Sequence, residues 1–331
     1  MTTFAGSAGN TGSADGTGSV ARFSTPTDVT ADGSGNLYVA DSGNHTIRKI
    51  TSGAEVTTLA GAAGSSGLTN GTGNSARFMD PRGVSADSSG NVYVADTGSN
   101  RIRRVSTNGA VSTQAGNGAG SSGSSDGNSN DARFNGPRGV MVDNSNNVYV
   151  ADTTNHTIRK ISNGSVTTFA GTAGVTGAAD GAGSGSRFNA PWGVAVDSAG
   201  AVYVADSNNS TIRKISSAGA TTTLAGQAGN TGSNVDGTGS AARFFSPKGV
   251  TVDLSGNVYV ADTNNNTIRK VTSTGVVTTL AGVGASTGTT DGTGSAARFR
   301  NPSAAAVDTN GNLYVADTGN NRISRFRLNT D

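Results

Sequence analysis

The chain has 331 residues, with 24 Lys and Arg side chains against 22 Asp and Glu side chains, and this formal net charge of +2 is too small to indicate nucleic-acid binding by itself. The absence of cysteine excludes disulfide bonds and thiol chemistry. No apolar run approaches the roughly 20 residues of a membrane span, and the first residues, MTTFAGSAGN, show neither the basic nor the long apolar region of a signal peptide. We therefore expect no membrane contact, while the compartment stays open, since an excised or engineered domain would look the same.

One stretch of sequence, seen as GNVYVADTGSNRIRRV at residues 90–105, recurs six times along the chain with small changes. The Asp that ends each YVAD recurs every 54 to 56 residues, at Asp41, Asp96, Asp152, Asp206, Asp262 and Asp317. All six tyrosines and all six prolines also occupy one repeat position each. So regular a period predicts a repeat architecture, in which copies of one unit pack on their neighbours.

Each copy contains four short apolar or β-branched segments, which in the fifth copy are GVTVD, NVYVAD, TIRKV and VVTTLAG in chain order. They are rich in Val, Ile, Thr and Tyr, and turn-forming Gly, Asn, Asp and Ser separate them. No segment keeps a helical period over about ten residues. Four short antiparallel strands in each copy predict the blade of an all-β propeller.

The two ends of the chain indicate how the ring closes. The sixth copy ends after its third segment, as NRISRFRLNTD, and lacks the fourth. The chain begins with TTFAG at residues 2–6, which matches that missing segment. An N-terminal strand that completes the last blade leaves no open sheet edge at the seam. The sequence therefore predicts one domain over residues 1–331, a closed six-bladed β-propeller with four strands in each blade.

The pattern VADTGNxRI after GVxVDxxGNVY resembles the NHL-repeat family of β-propellers, and the resemblance recurs in all six copies. It implies a propeller that serves as a protein-binding or RNA-binding platform, an extracellular sensor domain or, in a few members, a lyase. The fold alone does not choose among these roles. The copies are also very alike, which fits recent amplification of one repeat or a designed, consensus-like sequence. A scaffold with no evolved ligand is therefore a further alternative.

Two sets of aspartates recur, and neither predicts a metal site. Those that end YVAD precede turn-forming residues, so we expect structural Asx-type turns in which the carboxylate accepts local backbone N–H groups. In five copies an Arg follows the recurring Ile and is a candidate ion-pair partner of the YVAD aspartate. Ser324 replaces this Arg in the sixth copy, so such a pair cannot be required in every blade. The second set, which begins with Asp32, supplies one acid per turn, whereas a calcium loop needs several.

Candidate catalytic and cofactor residues are scarce. His45 and His156 lie in equivalent NHT turns of the first and third copies, so we expect separate surface positions for them. The resemblance implies that a lyase would set several His ligands or a His/Glu pair at the centre of one face, and Glu55 is the only glutamate. The glycine-rich stretches lack the Lys and the helix that follow a phosphate-binding loop. The sequence therefore predicts no catalytic residue, no metal, no cofactor and no enzymatic activity.

The glycine-rich connections between copies carry two recurring features. An Asp-Gly or Asn-Gly pair precedes an Arg-Phe pair by seven residues, as at Asp15 and Arg22. We expect the Arg to bond loop carbonyls or that Asp, and the Phe to pack under the blade edge. The connections are then ordered structure and not a site.

The residue after the recurring proline differs from copy to copy. In chain order it is Thr27, Arg82, Arg138, Trp192, Lys248 and Ser303. Because this residue opens the innermost strand, we expect the six to ring the central opening on one face, together with the turns after YVAD. Arg and Trp are enriched at binding hot spots, and cations beside an aromatic ring suit carboxylates, phosphates or stacked bases.

These differences predict a non-enzymatic binding module with its ligand site at Arg82, Arg138, Trp192 and Lys248. An acidic peptide or another anionic ligand is the favoured partner. Single-stranded RNA is the alternative, although the ring offers no second aromatic side chain for stacking. A propeller lyase or hydrolase is disfavoured for lack of a His, Glu or metal-ligand cluster. We expect a monomer.

Overall fold

The computed structural model describes residues 1–118 and 120–328, and over these residues the chain forms six antiparallel sheets. We number the blades 1 to 6 in the order of the YVAD copies. The innermost strands of the six blades contact one another in a closed cycle, in which blade 6 lies against blade 1. The molecule is thus the closed six-bladed β-propeller that the repeat predicts.

Each blade has four main strands, which follow one another in the sheet from the central axis outward. The innermost strands are Pro26–Ala31, Pro81–Ala86, Pro137–Val142, Pro191–Val196, Val250–Val252 and Ala304–Val307. The second strands are Leu37–Asp41, Val92–Asp96, Val148–Asp152, Val202–Asp206, Val258–Asp262 and Asn312–Asp317. The third strands are Thr46–Ile50, Arg101–Val105, Thr157–Ser162, Thr211–Ile215, Thr267–Val271 and Arg322–Arg327. The outermost strands are Glu55–Ala60, Ala110–Ala115, Ser165–Gly171, Ala220–Gly226, Val276–Gly282 and, in blade 6, Thr2–Gly6.

Five blades contain a fifth strand of two residues, which the sequence did not predict. In each of them the glycine-rich connection that precedes the blade crosses to its outer edge and pairs with the outermost strand. These short strands are Gly16–Thr17, Gly71–Thr72, Gly127–Asn128, Gly181–Ala182 and Gly237–Thr238. In blade 6 the N–H of Gly292 donates instead to the carbonyl of Met1. The connections therefore cover the outer strands, whose edges would otherwise be open.

The helices are single 3-10 turns of three residues. One group follows the YVAD copies, at Ser42–Asn44, Thr97–Ser99, Thr153–Asn155, Ser207–Asn209, Thr263–Asn265 and Thr318–Asn320. The other lies in the connections, at Gly18–Val20, Gly73–Ser75, Gly183–Gly185, Gly239–Ala241 and Gly294–Ala296. Across residues 1–118 and 120–328, no helix has the length and apolar character needed to cross a membrane.

The seam confirms the prediction made from the chain ends. Thr2–Gly6 pairs antiparallel with Arg322–Arg327, with Thr2 opposite Arg325 and Gly6 opposite Arg322. The first strand of the chain thus completes the last blade, and the ring closes through backbone hydrogen bonds.

The apolar core lies between neighbouring blades. Tyr38 and Ile47 of blade 1, for example, pack in one cluster with Val92 and Val105 of blade 2. Leu37–Asp41 is buried along its whole length because both faces of the sheet are covered. The Phe of each connection is fully buried, as predicted, at Phe23, Phe78, Phe134, Phe188, Phe244 and Phe299. Burial of a Phe of this kind stabilises the fold by about 1.5–3 kcal/mol.

The prediction of a local Asx turn at the YVAD aspartates is wrong. Both side-chain oxygens of Asp41 are buried in longer-range contacts: Oδ1 accepts the N–H of Ser24 at 2.7 Å, and Oδ2 accepts Asn44 Nδ2 at 2.7 Å and Arg48 at 2.8 Å. Asp41 and Arg48 are fully buried. Loss of either partner would leave a buried charge unpaired, so this network is structural. Arg48 also pairs with Asp15 of the connection at 2.7 Å, whereas Arg22 bonds loop carbonyls such as that of Val20 at 2.9 Å.

The pair is present in every blade, which corrects the inference drawn from Ser324. In blade 6 the guanidinium comes from Arg322, two residues earlier on the same strand. Its Nε lies 2.8 Å from Asp317 Oδ2, and its Nη1 lies 3.0 Å from Asp291 Oδ1. Blade 6 therefore keeps the ion pair although Ser324 replaces the arginine that supplies it in the other blades.

The second set of aspartates forms the turns that the sequence predicts. Asp32 Oδ1 accepts the N–H groups of Ser34 and Asn36, both at 2.9 Å. The same two bonds recur at Asp87, Asp143, Asp197, Asp253 and Asp308. These turns join the innermost strand to the second strand, so they lie at the end of the channel opposite the proline residues.

Candidate ligand site at the channel mouth

A cavity of about 140 Å³ lies on the propeller axis and is lined by residues from the innermost strands of all six blades. Three of the four predicted site residues line it, namely Arg82, Arg138 and Trp192. The fourth, Lys248, contacts the Trp192 ring, with Nζ 4.5 Å from the ring centroid. The structure therefore brings together the four residues that the sequence singled out, which we call the mouth cluster.

The turns after YVAD hold these residues in place. The residue before each recurring proline has a left-handed backbone, with φ of 52° at Asp80 and 50° at Ala190. His45 Nδ1 accepts the N–H of Asp80 at 3.2 Å, and His156 Nδ1 accepts that of Ala190 at 3.0 Å. Each turn thus anchors the start of the innermost strand of the next blade. The turns therefore lie on the same face of the ring as the residues after proline, as predicted.

The two histidines have a structural role that the sequence did not show. They are half-buried, and burial lowers the pKa of His156, which suits a ring nitrogen that must stay unprotonated to accept a hydrogen bond. Asn100, Asn266 and Asn321 make the same bond in their blades, each at 2.8 Å. The histidines therefore belong to this series of hydrogen bonds between neighbouring blades. Within residues 1–118 and 120–328, no three His, Asp or Glu side chains are grouped so that they could hold a metal ion.

Three cations lie near the face of the single tryptophan. The guanidinium carbon of Arg138 is 3.7 Å from the Trp192 ring centroid, and that of Arg82 is 5.8 Å away. Cations at such distances are attracted by the negative face of the indole. Arg82 also forms an ion pair with Asp80, with Nε 2.7 Å from Oδ2.

The mouth cluster carries more positive charge than its surroundings neutralise. Burial, followed by repulsion from Arg138 and Arg82, lowers the pKa of Lys248 to about 8. Burial and repulsion from Arg82 lower the pKa of Arg138 to about 10, although Asp80 opposes this shift. The buried Nε of Arg138 makes no hydrogen bond in the described part of the chain. An anion placed here would reduce the repulsion among the cations and could accept a hydrogen bond from Arg138.

The sequence analysis missed one charged residue that lines the cavity, Asp28. It occupies the position after Thr27, where blades 2 to 5 have Gly83, Gly139, Gly193 and Gly249. Its Oδ1 accepts the N–H of Val29 at 2.8 Å, and its Oδ2 accepts the N–H of Val84 in the next blade at 2.9 Å. Burial raises the pKa of Asp28 to about 7, although the two N–H bonds oppose this shift. One acid among four glycines was the signal that could have revealed it.

The glycines in blades 2 to 5 are required by the close approach of neighbouring blades. An added Cβ at Gly139 would overlap the carbonyl oxygen of Trp192, and one at Gly193 would overlap that of Lys248. Blades 6 and 1 differ because hydroxyl groups make the contact. Ser303 Oγ donates to the Thr27 carbonyl at 2.6 Å, and Thr27 Oγ1 donates to the Arg82 carbonyl at 2.9 Å.

Comparisons with known proteins place the chain in a family. The model described as NHL repeat matches residues 23–50, 78–105, 134–161, 188–215, 244–271 and 299–326. NHL repeat-containing protein 2 of Bos taurus is 30% identical over 340 residues, which cover 92% of this chain and 47% of that protein. Protein SUPPRESSOR OF QUENCHING 1, chloroplastic, of Arabidopsis thaliana is 30% identical over 308 residues, which cover 88% of this chain and 29% of that protein. The chain thus spans less than half the length of either relative.

Solved structures agree on the fold. An auxiliary nutrient binding protein from Bacteroides thetaiotaomicron superposes with a TM-score of 0.73 at 17% identity, over 98% of this chain and 75% of that one. Virginiamycin B lyase from Staphylococcus aureus superposes with a TM-score of 0.54 at 13% identity, over 93% of this chain and 86% of that one. At these identities the likeness concerns the fold alone. Six repeat matches, one in each blade, establish that the chain belongs to the NHL repeat family.

Proposed function

We propose that this propeller is a non-enzymatic binding module whose anionic ligand lies at the channel mouth, against Arg82, Arg138, Trp192 and Lys248. The observation that carries the proposal is the position of Arg138 and Lys248 on one indole ring, where burial and repulsion from neighbouring guanidinium groups lower the pKa of both. The nearby carboxylate of Asp80 is paired with Arg82. A ligand anion would supply the missing counter-charge.

The chemistry of the mouth cluster suits a carboxylate. A guanidinium presents paired N–H donors that match the two oxygens of a carboxylate or phosphate. Trp192 is half-buried and supplies apolar contact area beside those donors. A cavity of about 140 Å³ admits one small anionic group, so an acidic peptide would insert one carboxylate and lay the remainder on the face.

Single-stranded RNA is the second candidate, and one feature speaks against it. Stacking platforms for single strands use several aromatic side chains. Trp192 is the only aromatic residue among the six positions that ring the opening. The non-enzymatic part of the proposal rests on the two histidines, because the Nδ1 atoms of His45 and His156 accept backbone N–H groups of the next blade. The naming of one structural neighbour as a nutrient binding protein also fits a binding role.

The test uses the intrinsic fluorescence of Trp192, which reports on this site because the chain has no other tryptophan. The probes are an acetylated hexaglutamate peptide and an eight-nucleotide oligouridine, titrated at two salt concentrations and checked by calorimetry. We expect Lys248→Gln to weaken binding of the peptide at least tenfold. The matched control is Lys214→Gln, because Lys214 also lies over an aromatic ring, Tyr203, at 5.2 Å but in the outer part of blade 4.

Two results would overturn the proposal. One is equal loss of peptide binding in Lys248→Gln and Lys214→Gln, which would mean that the loss reflects net charge alone. The other is no binding of the peptide, of oligouridine or of any small carboxylate by the wild type, which would favour a scaffold without a ligand. Tighter binding of oligouridine, with the steep salt dependence of phosphate contacts, would replace the peptide by RNA.

A further inference from the structure

We propose that Asp28 is a second recognition group in the cavity, and that the group bound there is a small carboxylate which also carries a hydrogen-bond donor, either a hydroxyl or an ammonium. The carboxylate would meet Arg138 and Lys248, and the donor would meet Asp28. This inference rests on the proposed function, because it assumes that the mouth cluster binds an anion.

The Asp28 carboxylate is held firmly and still has acceptor capacity. Its two oxygens accept one backbone N–H each, from Val29 and Val84, which fixes the orientation of the group. A carboxylate has about four acceptor sites, so two remain. Asp28 lines the cavity and the residue is partly exposed, so the proposal places a ligand donor at these remaining acceptor sites.

The position of Asp28 places it across the channel from Trp192. The innermost strands contact in the cycle of blades 1 to 6, so blade 1 lies opposite blade 4. Asp28 belongs to blade 1 and Trp192 to blade 4, while Arg138 and Lys248 belong to blades 3 and 5 on either side of Trp192. Arg138 and Trp192, which line the cavity, therefore lie on the side opposite Asp28, and Lys248 contacts the Trp192 ring.

The packing of the blades makes this carboxylate unique in the ring. At the corresponding positions of blades 2 to 5 an added Cβ would overlap backbone atoms of the next blade, so no side chain fits there. Ala304 of blade 6 has a Cβ but no polar group. A carboxylate at this level of the channel is accommodated in blade 1, where Thr27 bonds the next blade through its hydroxyl.

Burial makes a ligand donor favourable at Asp28. The pKa near 7 means that the ionised form lacks solvation and gains when a donor replaces water. The other charged group from the adjoining strand that lines the cavity is Arg82, which is already paired with Asp80. A donor on the ligand therefore meets an acceptor without an internal cationic partner among the described residues.

The size of the cavity limits the ligand. A dry protein cavity of roughly 150 Å³ holds a molecule of the size of benzene, and the volume here is about 140 Å³. The inserted group therefore has roughly six to eight non-hydrogen atoms. Short hydroxy acids and free amino acids meet this limit.

The test compares small probes that differ in one group. Glycerate has a carboxylate and hydroxyl donors, serine has a carboxylate and an ammonium, propanoate has the carboxylate alone, and glycerol has hydroxyls alone. Each is titrated into the full chain by calorimetry, with Trp192 fluorescence as a second readout. We expect glycerate or serine to bind at least tenfold more tightly than propanoate, and glycerol not to bind. Whichever of the two binds more tightly identifies the donor.

The decisive variant is Asp28→Gly, which introduces the residue that blades 2 to 5 already carry. It should reduce the affinity for glycerate or serine to that for propanoate and leave the affinity for propanoate within twofold. Asp28→Asn, which keeps the shape of the side chain, should weaken the preferred probe similarly. If a variant fails to fold, the ratio of glycerate and serine to propanoate in the wild type decides alone.

The outcomes separate this inference from the proposed function. Equal affinity for glycerate, serine and propanoate, with binding still lost in Lys248→Gln, would overturn the role of Asp28 and leave the anion site standing. Binding of the hexaglutamate peptide but of none of the small carboxylates would do the same. Binding of neither peptide nor carboxylate would overturn both. Glycerol that binds as tightly as glycerate would overturn the two-group recognition.

Discussion

The innermost ring has two sectors that differ although they are built from one repeat. In blades 2 to 5 the residue after proline is large or charged and the next residue is Gly, and the backbone of each neighbouring blade approaches that Gly closely. In blades 6 and 1 the residue after proline is Ser303 or Thr27, and its hydroxyl bonds the next blade. The following position then holds Ala304 or Asp28. The two adjacent positions thus change together. Neighbouring blades meet either at a glycine backbone or through the hydroxyl of the residue after proline.

One contact within the blades, unlike the ring positions, recurs in every copy. The buried Asp–Arg pair occurs in all six blades, and Arg322 supplies it even where Ser324 has replaced the usual Arg. A contact on which the packing of every blade depends is retained, whereas the ring positions vary. The variable sector is therefore where we look for recognition, and the following substitutions test the difference between the two sectors.

The largest effect is expected from Gly139→Ala, because the new Cβ would overlap the Trp192 carbonyl. Overpacking of this kind costs about 1–3 kcal/mol or more, and we expect the upper part of that range in urea denaturation. Gly33→Ala is the control, since no atom lies within 4 Å of an added Cβ there. Equal stability of both variants would mean that the ring adjusts freely and that the two sectors do not differ in packing.

Asp28→Asn should change how stability depends on pH. The native pKa of about 7 lies above the ordinary value of 3.8, so the native state binds protons more tightly than the unfolded chain. The free energy of unfolding contributed by this group is therefore highest below pH 4 and falls as pH rises to about 7. Because the side chain is partly exposed, we expect the wild type to lose about 2 kcal/mol relative to the variant over this range. Parallel stability curves between pH 4 and 8 would contradict the raised pKa.

Lys248→Met should stabilise the protein, since the charged lysine is half-buried beside the cations Arg138 and Arg82. The native pKa of about 8 lies below the ordinary value of 10.5, so the destabilisation is fully present below pH 8 and disappears as pH rises toward 10.5. We expect a gain of about 1–2 kcal/mol at pH 6.5 in low salt, after allowance for partial exposure. Lys214→Met is the control and should change stability by less than about 0.5 kcal/mol. A loss of stability in Lys248→Met would show that the mouth cluster is not strained by its charge.

The smallest effect concerns the hydroxyl contact of the other sector. Thr27→Val keeps the shape of the side chain and removes the hydroxyl that bonds the Arg82 carbonyl and the Ser42 hydroxyl. We expect a loss of about 1 kcal/mol in the free energy of unfolding. Thr30→Val, on the same strand, is the control. An unchanged Thr27→Val variant would indicate that the hydroxyl does not maintain the spacing between blades 1 and 2.

Much of the fold was predictable because it rests on local patterns. The period of the YVAD aspartates, the four apolar segments and the match between TTFAG and the missing last segment were enough to predict six blades and the seam. The mouth cluster was also predictable, since a repeat position that opens the innermost strands must ring the axis. The two-residue outer strands were missed because nothing in their glycine-rich sequence distinguishes pairing from an ordinary turn.

The sequence by itself determined the number of blades, the way the ring closes and the residues that face its centre, because each of these follows from the period and from positions within one copy. Tertiary structure decided the rest. Asp41 accepts an N–H from 17 residues away, Arg48 reaches an Asp 33 residues away, and Asp28 bonds a strand 56 residues away. These partners come together only when connections cross blades and blades pack on one another. In the sequence, Asp28 is only an aspartate at a position where blades 2 to 5 have glycine. The folded protein shows that this residue lines the central channel.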